Sequence, residues 1–155
     1  MALYEFETKQ PRIGKSCFVH PQAAVIGDVE LGDNCYVGAG AIIRGDYGRI
    51  VIGHGSNIQE NAVIHTEPDT IALIEENVLI GHGAIVHGPC LVQHHVTVGM
   101  GSIVSAGCEL ASESLLASGS VLPPNKCVPS RKLAMGNPAV VVRDLSENHL
   151  VYNQI

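Results

Sequence analysis

Large aromatic side chains are scarce in this 155-residue chain, which has no tryptophan and only 4% aromatic residues. This scarcity argues against a wide globular core and fits a narrow one. Lys and Arg form no run and the formal net charge is −6, so neither nucleic acid nor an anionic membrane is an expected partner. No apolar stretch approaches the roughly 18 residues of a membrane span. The first residues lack the features of a signal peptide, so a cytosolic, single-domain protein is expected.

Aliphatic residues recur at every sixth position along most of the chain, with two interruptions. The recurring residues are Ile13, Val19, Val25, Leu31, Val37, Ile43, Ile52, Ile58, Ile64, Ile74, Ile80, Val86, Val92, Val98, Val104, Leu110, Leu116 and Leu122. A period of six fits neither an α-helix nor a free strand, and it indicates a solenoid whose axis these side chains fill. At three six-residue repeats (hexads) per coil, the pattern predicts six coils.

Three regions follow from this pattern. Residues 1–12 are predicted to form an N-terminal arm, and residues 13–122 the repeat array. Residues 123–155 are predicted to form a return segment along the outside, because Pro123-Pro124 follows the last hexad. A short C-terminal helix capped by Ser146 is predicted within this last region.

Four of the five cysteines follow the repeat. Cys17, Cys35, Cys90 and Cys108 each lie four residues after a hexad aliphatic, where most hexads have Ala, Ser or Val. The members of each successive pair are 18 residues apart, so they are predicted to stack in adjacent coils as small, reduced core thiols. Cys127 lies outside the predicted array and is interpreted as a loop thiol.

The hexad signature has an aliphatic residue, often Gly directly after it, and a small residue four positions after the aliphatic, and it resembles that of the hexapeptide-repeat proteins. Examples are Leu31-Gly32 and Val37-Gly38. The resemblance covers about 110 residues and implies an all-β solenoid, a left-handed parallel β-helix. The handedness is implied by the resemblance and not by the period.

Three histidines fall into register near the two interruptions of the repeat. His65 and His87 each follow a hexad aliphatic directly and lie one coil apart, so both should face outward on one wall about 5 Å apart. Arg44 holds the same register one coil earlier. His82 follows Ile80 by two positions and belongs to the preceding wall. We therefore expect a metal site shared between subunits of a homotrimer, with His82 supplied by the neighbour. Three histidines with one open position favour Zn²⁺ in a catalytic site, with Fe²⁺ or Co²⁺ as substitutes.

These residues lie in stretches that resemble the γ-class carbonic anhydrases and their close relatives. The stretches are Arg44-Gly-Asp46, Asn57-Ile-Gln59-Glu-Asn-Ala-Val-Ile-His65 and Gly81-His82-Gly-Ala-Ile-Val-His87-Gly. The resemblance implies that His65, His82 and His87 bind zinc at a trimer interface and that Gln59 hydrogen-bonds the zinc-bound hydroxide. It also implies that Asn57 lines the pocket and that Arg44 and Asp46 form a structural ion pair at the interface.

The implied reaction is the reversible hydration of CO2 to bicarbonate by a hydroxide on zinc. Proton export would fall to Glu67 or Asp69, in the loop that follows His65. Two features depart from the best-studied archaeal form: Tyr47 replaces an acidic residue, and the loop 66–70 is shorter.

Three other functions are compatible with the sequence. The family includes a branch with thioesterase activity, which would apply the same metal chemistry to an acyl-CoA. Met135-Gly-Asn-Pro-Ala139 resembles the C-terminal segment of the hexapeptide acyltransferases. A third alternative is a weakly active trimeric scaffold. Metal content, CO2 hydration and acyl-CoA hydrolysis distinguish these functions.

Overall fold

A computed structural model describes residues 2–148, which form twenty β-strands. In chain order the strands are β1 Leu3–Tyr4, β2 Arg12–Ile13, β3 Phe18–Val19, β4 Ala24–Leu31, β5 Tyr36–Val37, β6 Ile42–Ile52, β7 Asn57–Ile58, β8 Val63–Thr66, β9 Ile71–Ile74, β10 Leu79–Ile80, β11 Ile85–Gly88, β12 Cys90–Val92, β13 Thr97–Val98, β14 Ile103–Val104, β15 Cys108–Leu110, β16 Leu115–Leu116, β17 Val121–Leu122, β18 Cys127–Val128, β19 Lys132–Gly136 and β20 Ala139–Asp144. Within residues 2–148, no helix is long and apolar enough to cross a membrane.

The strands build the three walls of a left-handed parallel β-helix, as the hexad pattern and the resemblance predicted. Wall A runs from β2 through β9, β12 and β15 to β18, wall B from β3 to β19, and wall C from β1 through β8, β11 and β14 to β17. The long strands β4 and β6 turn from wall C into wall A. Each strand pairs in parallel with its counterpart in the next coil, so Ile58 lies between Val37 and Ile80.

The recurring aliphatic residues form the core. Seventeen of the eighteen are buried, and Ile13 in the first coil is partly buried. Because alternate residues of a strand face opposite sides, the residues beside each aliphatic point outward. This alternation places a chosen position of the hexad in one vertical column on the outside of the molecule.

The array is longer than predicted: it has about seven turns instead of six. β18 and β19 continue walls A and B in register with β15 and β16, and Val128 and Ala134 are buried on the axis. The predicted end at Leu122 was therefore wrong, and Cys127 lies on β18 and not in a loop. Pro123 does not end the array because β17 is the last strand of wall C, so no further strand needs an amide donor there.

The chain then reverses direction at the end of wall B. β20 pairs antiparallel with β19 and covers that end of the helix. Leu145 packs on Leu133 beyond it. The predicted C-terminal helix falls mostly on residues 149–155, which lie outside the described residues.

Small inward residues at the corners link successive coils through their side chains. The Cys35 thiol donates to the carbonyl of Gly53 at 3.2 Å, and the Ser56 hydroxyl donates to that of Glu75 at 2.8 Å. Burial raises the pKa of Cys35 to about 11 and that of Cys90 to about 12. All five cysteines are free thiols, and the predicted core positions of Cys35, Cys90 and Cys108 are confirmed by their burial.

The corners also require unusual backbone conformations. Asn61 and Gly101, each three residues after a hexad aliphatic, have φ of 62° and 66°, a region that Asn and Gly enter at little cost. At Gly27, with φ 74°, a Cβ atom would lie 2.1 Å from the carbonyl oxygen of Gly45 in the next coil. The close approach of β4 and β6 therefore requires glycine at this position.

Candidate metal centre

Wall C carries a vertical column of Arg44, His65 and His87 in three consecutive coils. Arg44 is paired with His65, and His65 with His87, in the parallel register of β6, β8 and β11. The two imidazole rings face outward with their centroids 5.2 Å apart and their planes at 81°. The stacking of these two histidines, predicted from the hexad register, is confirmed.

Asp46 organises the lower end of this column. Its carboxylate accepts hydrogen bonds from Arg44 Nη1 at 2.9 Å, from His65 Nε2 at 3.1 Å and from the Tyr47 amide at 2.7 Å. The side chain is buried, and burial alone would raise its pKa. The hydrogen bonds from Tyr47 and His65 and the charge of Arg44 outweigh burial and hold the Asp46 pKa below its usual value. Asp46 is therefore a carboxylate that fixes the His65 ring from within the same chain.

His87 is fixed by the backbone. Its Nδ1 lies 2.8 Å from the carbonyl oxygen of Gly88. A carbonyl only accepts hydrogen bonds, so Nδ1 carries the proton in this contact and Nε2 has its lone pair exposed for a ligand.

His82 lies elsewhere, at the corner between walls B and C just after β10. Its Nδ1 is 2.9 Å from Glu60 Oε1, and half of the side chain is exposed. The other oxygen of Glu60 accepts a 2.7 Å hydrogen bond from the Tyr36 hydroxyl. This bond lowers the pKa of Glu60, with His82 adding to the effect, and raises that of Tyr36.

Glu60 and Tyr36 were not among the predicted site residues. A signal for Glu60 was nevertheless present, because Glu60 and His82 each follow a hexad aliphatic by two positions in adjacent coils. Equal register in successive coils places this carboxylate beneath His82, just as it places His65 beneath His87.

Gln59 and Asn57 lie on wall B with His82, not on wall C. Gln59 follows the buried Ile58, and the backbone amide of Gln59 donates to the carbonyl of Ile80 at 3.0 Å. The side-chain oxygen of Asn57 is buried without a hydrogen-bond partner among the described residues. A buried oxygen of this kind accepts a hydrogen bond from an ordered water or from another molecule.

Glu67 and Asp69 are exposed at the corner between walls C and A, next to the Asp46 segment. Asp69 has φ 58°, and its amide donates to the carbonyl of Tyr47 at 2.8 Å. The carbonyl of Glu67 accepts a bond from the Thr70 hydroxyl at 2.7 Å. The loop after His65 is therefore an ordered turn stacked on the Tyr47 segment, with both carboxylates at the surface.

The predicted site residues thus form two groups on one chain. Arg44, Asp46, His65 and His87, with the Glu67–Asp69 turn, belong to wall C and its corner, whereas Asn57, Gln59 and His82 belong to wall B and its corner. Among residues 2–148, no three His, Cys, Asp or Glu side chains of one chain converge in a way that could hold a metal ion. A three-histidine site therefore requires wall C of one chain and wall B of another.

The donor set fits a divalent zinc-like ion. Metal-binding histidines almost always donate their second ring nitrogen to a carboxylate or a backbone carbonyl, which orients the ring. All three histidines meet this condition, through Asp46, Gly88 and Glu60. In these tautomers His65 has Nδ1 left for a metal, and His82 and His87 have Nε2.

A groove of about 440 Å³ follows the outer face of wall B. Its apolar walls come from Leu79, Leu115 and Leu133, and Gln59 and His82 line it together with them. The groove spans the coils from Gln59 to Leu133, four coil rises or about 19 Å. It is therefore suited to an extended apolar chain.

Comparison with known proteins gives the same fold. The family "Bacterial transferase hexapeptide (six repeats)" matches residues 10–45. Carnitine operon protein CaiE of Escherichia coli is 40% identical over all 155 residues, which cover 79% of its length. CaiE of Salmonella agona is 39% identical over the whole chain and is covered to 78%.

Two solved structures agree closely with the fold. A hexapeptide transferase family protein from Anaplasma phagocytophilum is 38% identical, with a TM-score of 0.93 over 99% of this chain and 90% of that one. A protein from Bacillus cereus described as a putative acetyltransferase is 30% identical, with a TM-score of 0.95 over 98% and 88% of the two chains. The chain therefore belongs to the hexapeptide-repeat proteins, and within them to the γ-class carbonic anhydrase-like family that its motifs predict.

Proposed function

We propose that the protein is a γ-carbonic-anhydrase-like enzyme of the cytosol, a homotrimer that hydrates CO2 reversibly at zinc sites between its subunits. The observation that carries this proposal is that His65, His82 and His87 each have one ring nitrogen hydrogen-bonded to a fixed acceptor. Surface histidines have no general reason to share this arrangement, whereas metal ligands do.

The predicted site residues would have different roles in the reaction. His65 and His87 from wall C and His82 from a neighbour's wall B would hold the ion. When bound, Zn²⁺ lowers the pKa of a coordinated water to about 7. Gln59 lies on the same wall as His82, and its side-chain amide would orient the reacting oxygen. The side-chain oxygen of Asn57, which has no partner among the described residues, lies on the outer face of the same wall. Glu67 and Asp69, both exposed, would accept the released proton and pass it to solvent.

Assembly into a trimer is supported by the outer face of wall C. An apolar column made of Ile42, Val63, Ile85, Ile103 and Val121 runs beside the Arg44–His65–His87 column. The hydrophobic effect favours covering such a stripe. If three copies close in a ring, each wall C faces a neighbour, and three equivalent sites form.

Two measurements test the proposal. The first determines zinc per subunit and stopped-flow CO2 hydration on the same anaerobic sample, and the activity is expected to follow the zinc content. The second mixes His65→Ala and His82→Ala subunits through unfolding and refolding. Each site needs an intact wall C from one chain and an intact wall B from another, so random mixing should restore about one quarter of the sites. His54→Ala, at an exposed corner away from the site, is the matched control.

Absence of zinc after reconstitution, or zinc without CO2 hydration, would contradict the proposed activity. Confirmed mixed trimers that regain no zinc would contradict the sharing of sites.

The groove on wall B favours one second candidate, hydrolysis or transfer of an acyl thioester. An extended acyl chain would lie along Leu79, Leu115 and Leu133 with its carbonyl near His82. Acyl-CoA hydrolysis assayed against chain length tests this candidate. A Leu115→Arg variant should abolish a preference for long acyl chains.

A further inference from the structure

Glu60 spans two side chains from neighbouring coils. One carboxylate oxygen accepts the Tyr36 hydroxyl at 2.7 Å, and the other lies 2.9 Å from His82 Nδ1. Tyr36, Glu60 and His82 belong to three consecutive coils, so the contacts form a vertical relay along the edge of wall B.

The wall is shaped to receive this carboxylate. At Gly38, a Cβ atom would lie 2.5 Å from Glu60 Oε2 and 2.8 Å from the carboxyl carbon, closer than real contacts allow. The Glu60 carboxylate therefore occupies the space that any other residue at position 38 would fill. The Tyr36 ring is fixed in turn by stacking on Phe18, with ring centroids 5.5 Å apart and planes at 18°. Glu60 and the Tyr36 end of the relay are thus anchored in the fold.

We propose that Glu60, held by Tyr36, is the positioning residue of the metal site: it fixes the His82 ring with Nδ1–H toward the carboxylate and Nε2 toward the neighbouring subunit. This role rests on the proposed metal-binding function. His82 is half exposed and lies at a corner, so an unsupported ring would sample several rotamers, and each would misplace the nitrogen that must reach across to another chain.

The relay gives the two halves of the site separate carboxylate supports. Asp46 orients His65 within wall C, and Glu60 orients His82 within wall B. Each subunit therefore presents its ligands already oriented before the subunits meet. Such preorganisation reduces the ordering that metal binding would otherwise require.

The test uses Glu60→Ala and Glu60→Gln in the full-length protein, with Tyr36→Phe as a probe of the second contact. Glu76→Ala is the matched control, because Glu76 lies at the corner between walls A and B, away from His82. Zinc affinity is measured by competition with a chelator, and the absorption spectrum of the Co²⁺-substituted protein reports ligand geometry. The tautomer of His82 is read from imidazole ¹⁵N shifts in the metal-free protein at alkaline pH.

We expect Glu60→Ala to weaken zinc binding by ten- to a hundredfold, to change the Co²⁺ spectrum and to lose the Nδ1–H preference of His82. Glu60→Gln keeps the shape but removes the charge, and should fall between wild type and Glu60→Ala. Tyr36→Phe should lie closer to wild type, and Glu76→Ala should equal it.

Two results distinguish a failure of the proposed metal-binding function from a failure of the positioning role of Glu60. Wild-type protein that binds no zinc would overturn the proposed function. Wild-type zinc binding with equal affinity, spectrum and His82 tautomer in Glu60→Ala would overturn the positioning role alone.

Discussion

Replacing Ile85 with glutamate should dissociate the proposed trimer. Ile85 lies on β11, faces outward two residues before His87 and is 40% exposed in the single chain. Burying a whole isoleucine side chain stabilises by about 1.5–3 kcal/mol, so covering the exposed fraction of Ile85 contributes about 1 kcal/mol per interface. A glutamate at the same place would lose this contribution and would bury an unpaired carboxylate, which costs several kcal/mol.

The effect is multiplied by symmetry. Three equivalent interfaces together lose about 10 kcal/mol, which lowers the association constant of the trimer by about seven powers of ten at 1.4 kcal/mol per decade. At micromolar concentration the variant should sediment as a monomer with native circular dichroism. It should also lose zinc, because His82 then comes from no neighbour. Analytical ultracentrifugation with metal analysis measures both changes.

Ile71→Glu is the matched control. Ile71 is 50% exposed on β9, which belongs to wall A, and this wall carries none of the predicted ligands. The control should retain both trimer and zinc. If Ile85→Glu remains a zinc-loaded trimer, or if Ile71→Glu dissociates instead, the assignment of wall C to the interface is wrong.

Three further results are expected from the fold itself. At pH 8 the exposed Cys127 should react rapidly with a thiol reagent, whereas the buried Cys35 should react only after unfolding. With a pKa of about 11, Cys35 is only about 0.1% thiolate at this pH. Mass spectrometry of the labelled peptides measures both reactions. Ser56→Ala should lower the free energy of unfolding by about 1–3 kcal/mol, because the hydroxyl donates to the Glu75 carbonyl and accepts from the Val78 amide in the next coil. An unchanged midpoint of urea unfolding would refute this expectation. Gly27→Ala should destabilise the fold strongly, because the new Cβ atom would meet the backbone of Gly45. Gly101→Ala meets open space and has only a positive φ, so it should lower the free energy of unfolding by about 1–2 kcal/mol. Equal decreases in melting temperature for the two variants would contradict the close contact at Gly27.

Much of the fold follows from the sequence because one spacing rule fixes every coil. The rule placed Arg44, His65 and His87 in one column, since residues in equal register of successive coils must stack. The predicted array ended one coil early because Pro123-Pro124 was interpreted as its end, although Val128 and Ala134 continue the six-residue spacing and are buried on the axis.

The candidate site was predicted less completely than the fold. Its histidines stand out by residue type and register, but the supports of those histidines are ordinary residues. Glu60 and Tyr36 are far from His82 in sequence, and their contacts depend on rotamers and on the space at Gly38, which the hexad spacing does not determine.

The two interruptions of the repeat occur at the same corner, between walls C and A, in successive coils. The segments after Ile43 and Ile64 both lengthen there, and the second is stacked on the first through the Asp69 amide and the Tyr47 carbonyl. Insertions at this corner leave the register of the walls intact, because wall A pairs in register with the preceding coil directly after each insertion. Loop length at this corner can therefore change during evolution without altering the three walls. Related proteins can differ in the surface beside His65 through changes in these loops alone.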